Sequence, residues 1–517
     1  KALGKGEKDP VLLSATLRGD ALDGTGIWPD GSGFSWRAAR KGPAPQDPED
    51  EEEKEKKRKE AEPRQALFEP NVPLGAYGRP GLPEQPEVLL FRNATVWTCA
   101  GAGILEGASV LVRKGRIEAV GRDLEVPEGA RVVDLAGKHL TPGIVDCHSH
   151  IAIDGQVNEG TQAVTAEVRI GDVIDPDDIA VYRELAGGVT AANLLHGSAN
   201  PIGGQNQVIK LRWGALPEAM KLEGAPEGIK FALGENPKQS NWDRHDRYPQ
   251  TRMGVEQMIR DGFQAAKDYR KAWADWGKDP RGLPPRRDLE LEAVAEILEG
   301  KRLIHCHAYR QDEMLALMRL AEAYGVKVAT FQHALEGYKI AGEMRRHGAG
   351  ASTFSDWWAY KIEVYDAIPY NAALLASAGV LVSLNSDSAE LARRLNTEAA
   401  KAVKYGGMSE EEALKLVTIN PARQLGVDGR IGSLSPGKDA DLVVWSAPPL
   451  SSYAICEQTW IDGRRFFDRG EDLALRREVG TRHAALLQRV LDAGPSEGAT
   501  PAGGGKRRKP REQGDCC

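Results

Sequence analysis

"TPGIVDCHSHIAI", residues 141–153, reads as a buried strand that acquires two histidines with one residue between them. Ile144 and Val145 suit a core strand, and Cys147 passes as a small apolar residue. His148 and His150 do not suit a core. Successive strand side chains point to opposite faces, so positions two apart share a face. Both imidazoles therefore aim at one point in space.

Outward from this strand, the chain alternates strand-like and helix-like segments. "RLIHCHA" (302–308) is a strand, "DEMLALMRLAEAYG" (312–325) has apolar residues at helical spacing and stops at Gly325, and "VKVATFQHA" (326–334) is the next strand. Strand, helix, strand with short links implies a parallel sheet. "GVLVSLNSDS" (379–388) repeats the strand signal. In the helix that follows, Ser409 and Glu412 have capping-box spacing. "NPARQLG" (420–426) offers Asn420 as N-cap, Pro421 at the first helical position and Gly426 as a stop. A run of such units closes most often as an eight-stranded (β/α)8 TIM-type barrel, with chemistry at the C-terminal strand ends.

The polar residues fall where that architecture puts chemistry. His148 and His150 end the first strand, His307 and His333 end later ones, and Asp387 ends "VLVSLNSD". In each case the apolar run comes first and the ligand-type side chain last. Imidazoles plus one carboxylate suit Zn2+ or a similar divalent ion. One such histidine is more often a structural residue; four at successive strand ends with an aspartate reverse that judgement.

The flanks have another texture. "EVLLFRNATVWT" (87–98), "ASVLVRKGRIEAVG" (108–121) and "ARVVDLAGKHL" (130–140) are short β-rich runs. A matching set, "GSLSPGKDADLVVWSA" (432–447) and "TWIDGRRFF" (459–467), follows the alternating region. Residues 1–85 are rich in Pro, Gly and charge, include "EDEEEKEKKRKEAE" (49–62), and read as an extension with a solvated charged linker. The expected division is 1–85 extension, 86–140 first β part, 141–426 barrel, 427–475 second β part, and 476–517 a C-terminal helix with a disordered basic tail.

The ordered motifs "LTPGIVDCHSH", "HCHA", "FQHA", "LNSDS" and "TINPARQLGV…GSLSPGKDADLVVW" resemble the amidohydrolase superfamily, in particular its imidazolonepropionase-like and Xaa-Pro-dipeptidase-like branch, over roughly residues 86–475. The resemblance implies a metal-dependent (β/α)8 barrel and a small composite β-sandwich assembled from the segments before and after it. It implies hydrolysis of an amide or cyclic-amide C–N bond by activated water. Asp387 would bind the ion or its water and carry the proton from attack to the leaving nitrogen. His333 would bind an ion or steady the oxyanion. A deaminase of a cyclic amidine, or an inactive scaffold of the same fold, are the alternatives.

Lys230, in "GIKFALGENPK" (228–238), interrupts an apolar run where the fourth barrel strand is expected. Burial favours the neutral amine, and a neutral amine can add CO2 to form an anionic carbamate. In dipeptidase-like relatives such a carbamate bridges two ions; imidazolonepropionase-like relatives with one ion do without it. The other reading has Lys230 reaching the barrel mouth to pair with Glu235, or Glu235 itself acting as ligand. One ion or two therefore stays open, with His148, His150, Lys230, His307, His333 and Asp387 as the candidate ligands.

Several further residues are weighed both ways. His196, at the end of an expected third strand before the Gly-rich "GSANPIGGQ", contacts substrate or anchors its loop. Arg252, in "YPQTRMG", pairs with a substrate carboxylate or forms a surface salt bridge. Asp356, Trp357 and Trp358 line the pocket rim or simply pack. His305, on the same side of its strand as His307, lies deeper or supports a ligand.

Composition bounds the rest. The chain has 517 residues, is 41% hydrophobic and carries a formal net charge of -7, which gives no reason to expect nucleic acid; the "KRRKPR" tail (506–511) does not change that. No apolar run is long enough to span a bilayer. The six cysteines are too sparse for a disulfide framework. The start at Lys1 looks like a processed piece. The expected partner is a small-molecule substrate, and a homo-oligomer is possible; the compartment stays open.

Overall fold

The computed structural model describes residues 12–28, 32–39, 81–238, 247–355 and 361–492. Asp356, Trp357, Trp358, the 49–62 charge run and the basic tail lie outside the described residues. The chain separates into two compact units, 1–70 and 71–517. The first contains an antiparallel meander, β1 (Leu12–Arg18), β2 (Ala21–Ile27) and β3 (Gly33–Ala39).

The second unit begins with the β-rich flank: β4 (Val88–Trp97), β5 (Ile104–Arg113), β6 (Arg116–Gly121), β7 (Arg131–Asp134) and β8 (His139–Pro142). Then come β9 (Ile144–Ser149), β10 (Val189–Leu194), β11 (Ile202–Gln205), β12 (Gln207–Lys210) and β13 (Glu227–Ala232). They are followed by β14 (Arg302–His307), β15 (Val328–Gln332), β16 (Gly350–Thr353) and β17 (Val382–Leu384). The last three are β18 (Leu442–Trp445), β19 (Cys456–Ile461) and β20 (Arg464–Asp468).

The two flanks make one sheet, in the order β20-β19-β18-β8-β4-β5-β6 with β7 on β4. Its seam is the antiparallel pair β8–β18, which sets His139 against Trp445 and Pro142 against Leu442. Leu89, Phe91, Val110, Val112, Leu140 and Trp460 form the core on one side of it. Sheet membership changes at Gly143, between β8 and β9. A Cβ at Gly143 would overlap the Thr190 side chain at 1.9 Å, so only glycine lets the chain cross there.

The alternating region supplies the parallel strands. β9 pairs with β10, and β13, β14, β15, β16 and β17 pair in succession, all parallel. Their near-continuous burial explains the apolar runs of the sequence. Amphipathic helices such as Arg252–Lys278 and Gln311–Ala323 return the chain between them, and the latter stops before Gly325, whose φ is +72°. Ser409 caps the helix Glu410–Lys415 by accepting from the Glu412 N–H, as the sequence predicts.

Two local expectations fail. Between β10 and β13 the chain forms no strand–helix–strand repeat: β12 runs antiparallel to β10, and β11 antiparallel to β13. The Gly, Asn and Pro of "GSANPIGGQN" favour turns over a crossover helix. The N-cap of the helix Ile419–Gln424 is Thr418, not Asn420. The Asn420 amide instead donates to the Val382 carbonyl of β17 at 2.9 Å.

No helix among the described residues is long and apolar enough to cross a membrane. Cys99, Cys147, Cys306 and Cys456 are buried free thiols.

Candidate active site

Five strands bring the predicted side chains together. His148 lies within β9 and His150 just beyond it. Lys230 lies in β13, His307 closes β14, His333 follows β15 directly, and Asp387 is three residues past β17. His148, His307, His333 and Lys230 are fully buried, and Asp387 nearly so.

The two-residue spacing does what strand alternation requires: His148 Nε2 and His150 Nε2 are 3.3 Å apart. Asp387 Oδ1 stands 3.3 Å from the first and 3.1 Å from the second. Its Oδ2 lies 3.5 Å from His333 Nε2. Lys230 Nζ is 3.3 Å from His148 Nε2 and donates to the His196 carbonyl at 3.2 Å. The Asp387 N–H donates to the His148 carbonyl at 3.1 Å, so the segment after β17 meets the end of β9. His333 and Asp387 both have left-handed backbones, with φ of +67° and +47°. Such strain in residues other than glycine is typical of functional positions.

The ring nitrogens facing away from the cluster fix the imidazoles. His150 Nδ1 bonds the Leu195 carbonyl at 2.8 Å, and His148 Nδ1 lies 3.3 Å from Gln332 Oε1. His333 stacks on Phe354, ring centres 5.1 Å apart, and His307 stands edge-on to Tyr309 at 4.6 Å. Asp146 supports from below. It accepts from the backbone N–H of His148 and of Ser386 and from the Ser386 hydroxyl.

Burial, then the charge of Lys230, holds His148 well below its ordinary pKa. Burial also takes His333 down to about 3 and pulls His307 well down. For Asp387, burial alone would raise the pKa. The adjacent His148 and His333, with hydrogen bonds from His148 and His150, bring it well below the carboxylate range. Neutral imidazoles around an ionised carboxylate are the protonation states metal coordination requires.

The donor set fits a divalent cation. One ligand atom each from His148, His150 and Asp387 lies within 4.8 Å of the others. Both ring nitrogens of His307 and His333 are buried with no hydrogen-bond partner among the described residues. Orphaned buried nitrogens are costly, and an ion sharing their space removes the cost.

The two expected substrate-binding residues both have partners within the protein. His196 follows β10, the neighbour of β9, rather than a third strand. Its Nε2 accepts from the Glu159 N–H at 2.8 Å and its Nδ1 donates to the Gly197 carbonyl at 2.9 Å, so both nitrogens anchor loops. Arg252 is engaged by carboxylates: Glu313 at 2.6 Å, Glu363 at 2.8 Å and Glu235 at 3.7 Å. Glu235 thus has Arg252 as an ion-pair partner. His305 is buried opposite Lys230 in the β13–β14 register.

Sequence reading missed Asp146, Gln332, Tyr309 and Phe354. Strand alternation carried two positions back from His148 reaches Asp146. The others carry no such signal, because their partners lie on neighbouring strands.

Comparison with known proteins agrees with this geometry. The Amidohydrolase family profile matches residues 139–465. A solved amidohydrolase from Thermotoga maritima MSB8 is 38% identical, with a TM-score of 0.69, and the match covers 74% of this chain and 100% of that one. Amidohydrolase tasK of Hapsidospora irregularis is 32% identical over 426 residues, 73% of this chain; the match spans only 43% of that longer protein. The imidazolonepropionase of Acidiphilium cryptum (strain JF-5) is 25% identical over 70% of this chain and 93% of its own length. The chain belongs to the amidohydrolase family, whose members are enzymes acting on carbon–nitrogen bonds.

Proposed function

We propose that this chain is a metal-dependent hydrolase that cleaves an amide or cyclic-amide C–N bond with water. The observation that carries the reading is the buried triangle of His148 Nε2, His150 Nε2 and Asp387 Oδ1, with separations of 3.1 to 3.3 Å. The imidazolonepropionase likeness supports a cyclic amide as substrate. The proposed scaffold is a closed (β/α)8 barrel over 141–426 beside a composite β-sandwich from 86–140 and 427–475. The β8–β18 seam and the Asp387–His148 backbone bond support it.

A divalent ion held by these residues, zinc by the chemistry of the donors, would supply electrophilic activation of the carbonyl and would lower the pKa of water. The residues do the rest. Asp387, ionised and rigidly held, accepts the proton of the attacking water and returns it to the leaving nitrogen. Burial of His148, Lys230, His307 and His333 limits bulk solvent around the cluster, while His150 stays partly open. Lys230 is proposed as a carbamate, formed when its neutral amine adds CO2 and releases a proton. His148, His150, Lys230 and Asp387 would then hold one ion, and Lys230, His307 and His333 a second. The orphaned nitrogens of His307 and His333 support the second position.

The test joins metal counting with a screen of dipeptides, N-acyl amino acids, small lactams and cyclic amidines on zinc-reconstituted protein. Bound zinc with hydrolysis of an amide or lactam is the expected result. Ammonia release from an amidine alone would make the chain a deaminase, and no bound zinc would remove the mechanism. Lys230→Ala should bind fewer ions and recover activity with a short-chain carboxylate. Two ions and full activity without that rescue would eliminate the bridge.

A further inference from the structure

Next to His148 the parallel strands carry polar residues where the interior of a (β/α)8 barrel ordinarily carries branched apolar ones. Cys147 lies on β9, Gln332 ends β15, Ser352 lies on β16, Ser383 on β17, and Asn385 follows β17 directly. All five are fully buried. Gln332 Nε2 and Asn385 Oδ1 have no hydrogen-bond partner among the described residues. A buried polar layer left partly unsatisfied costs stability, which points to a use beyond packing.

The protons of this layer can be placed one by one. Gln424, at the end of the helix Ile419–Gln424, donates from Nε2 to the Ala351 and Leu381 carbonyls at 3.0 and 2.9 Å, which turns its Oε1 to Ser383. The Ser383 hydroxyl donates to that oxygen at 2.6 Å, so it accepts from the Cys147 thiol, 3.3 Å away. The sulfur, with its one proton given, accepts from the Ser352 hydroxyl at 3.2 Å. The Ser352 oxygen accepts from Asn385 Nδ2, which also donates to Gln332 Oε1 at 3.5 Å. Gln332 therefore presents a carbonyl oxygen to His148 Nδ1 at 3.3 Å, and that nitrogen carries the hydrogen. Turning both amides round would leave one of the two Cys147 contacts without a proton.

Asp387 pulls the other way. Its Oδ1, 3.3 Å from His148 Nε2, favours a hydrogen on Nε2 donated to the carboxylate. A ligand nitrogen must instead offer a lone pair, and the bond made by the other ring nitrogen decides which form is present.

We propose that Gln332, fixed through Asn385 by a hydrogen-bond chain that starts at Gln424, is a positioning residue that holds His148 with its hydrogen on Nδ1 and its Nε2 lone pair turned to the histidine–aspartate cluster. The consequence, tighter zinc binding, rests on the metal-dependent reading above; the tautomer itself belongs to the metal-free protein.

Ring 15N NMR of histidine-labelled, metal-free protein reads the tautomer, with His148 assigned by the signals lost in His148→Asn. Competition with a chelator reads zinc affinity. Wild type should carry the His148 hydrogen on Nδ1. Gln332→Met removes the acceptor, so the hydrogen should move to Nε2 and zinc should bind about 10-fold or more weakly, the scale of losing an outer partner of a metal-bound histidine. Gln332→Glu keeps an acceptor in place and should keep both the tautomer and the affinity. Ser383→Ala, farther along the hydrogen-bond chain, should shift both part of the way in the same sense, and it carries the comparison if Gln332→Met does not fold by circular dichroism. A wild-type hydrogen on Nε2, a tautomer that the variant leaves unchanged, or zinc bound by the variant as tightly as by wild type overturns the proposal. A tautomer that shifts as expected in a protein whose wild type binds no zinc upholds the positioning role and counts against the metal-dependent reading alone.

Discussion

Asp387→Asn removes one formal charge from a nearly fully buried position while keeping the size of the side chain. The backbone there has φ +47°, a conformation that Asn tolerates about as well as Asp, so the fold has no reason to change. In the metal-free protein two effects oppose each other. The contacts of His148 and His150 with Asp387 Oδ1, at 3.3 and 3.1 Å, lose their charged partner, but a neutral amide is cheaper to bury than an anion. Metal-free stability should therefore stay within about 1 kcal/mol of wild type. Turnover should not survive in the same way. The amide cannot accept the proton of the attacking water, and the loss should be about 10²-fold or more, close to 3 kcal/mol of barrier. Zinc stabilisation should shrink as well: affinity weaker by about 10-fold removes about 1.4 kcal/mol of ligand-linked stability at saturating zinc. Calorimetric melts with and without zinc, beside turnover of whichever substrate the screen yields, read all three quantities. Turnover within about threefold of wild type would remove Asp387 from proton transfer. An unfolded metal-free variant would show that its charge is structural.

Chelation should abolish activity and Zn2+ should restore it; full turnover in rigorously metal-free protein would contradict the mechanism. His196 titrates at about 4 in the folded protein because burial, above all, disfavours its charged form. Its unfolded pKa is about 6.5, so it contributes up to about 3 kcal/mol above that pH, lost as pH falls from about 6.5 to about 4. Urea unfolding of wild type and His196→Gln at pH 7 and pH 4.5 should show a smaller difference at the lower pH, and an equal difference would refute the assignment. Ser409→Ala should cost about 1 kcal/mol of stability by releasing the Glu412 N–H, with turnover unchanged. A loss of turnover in that variant would place the cap in the active region.

The parallel strands and the histidine–aspartate cluster were legible because both depend on local rules. Apolar runs mark buried strands, and a polar side chain at the end of such a run marks the mouth where chemistry gathers. His148, His150, His307, His333 and Asp387 all obey that pattern. Arg252 and His196 were harder, since what decides their roles lies far along the chain. Glu313 and Glu363 engage the first, and the Glu159 N–H holds the second. Asn420 looked like a cap because its sequence context is that of one, while its real partner, Val382, belongs to another strand. The antiparallel β11 and β12 escaped for a related reason. Turn-rich sequence announces a break in the repeat but not the direction in which the chain returns.

The seam between β8 and β18 has a consequence for biosynthesis. His139 and Trp445 are register partners about 300 residues apart, so this contact is among the most non-local in the chain. On the ribosome, β4, β5 and β6 emerge early and can form their own meander. One edge of that sheet then waits, with Leu140 and its neighbours exposed, until the strand carrying Val443 and Val444 leaves the exit tunnel. During that interval the open edge is a site for mispairing with other nascent chains. Substitutions that weaken β18 should therefore lower the yield of soluble protein more than they lower the melting temperature of the molecules that do fold.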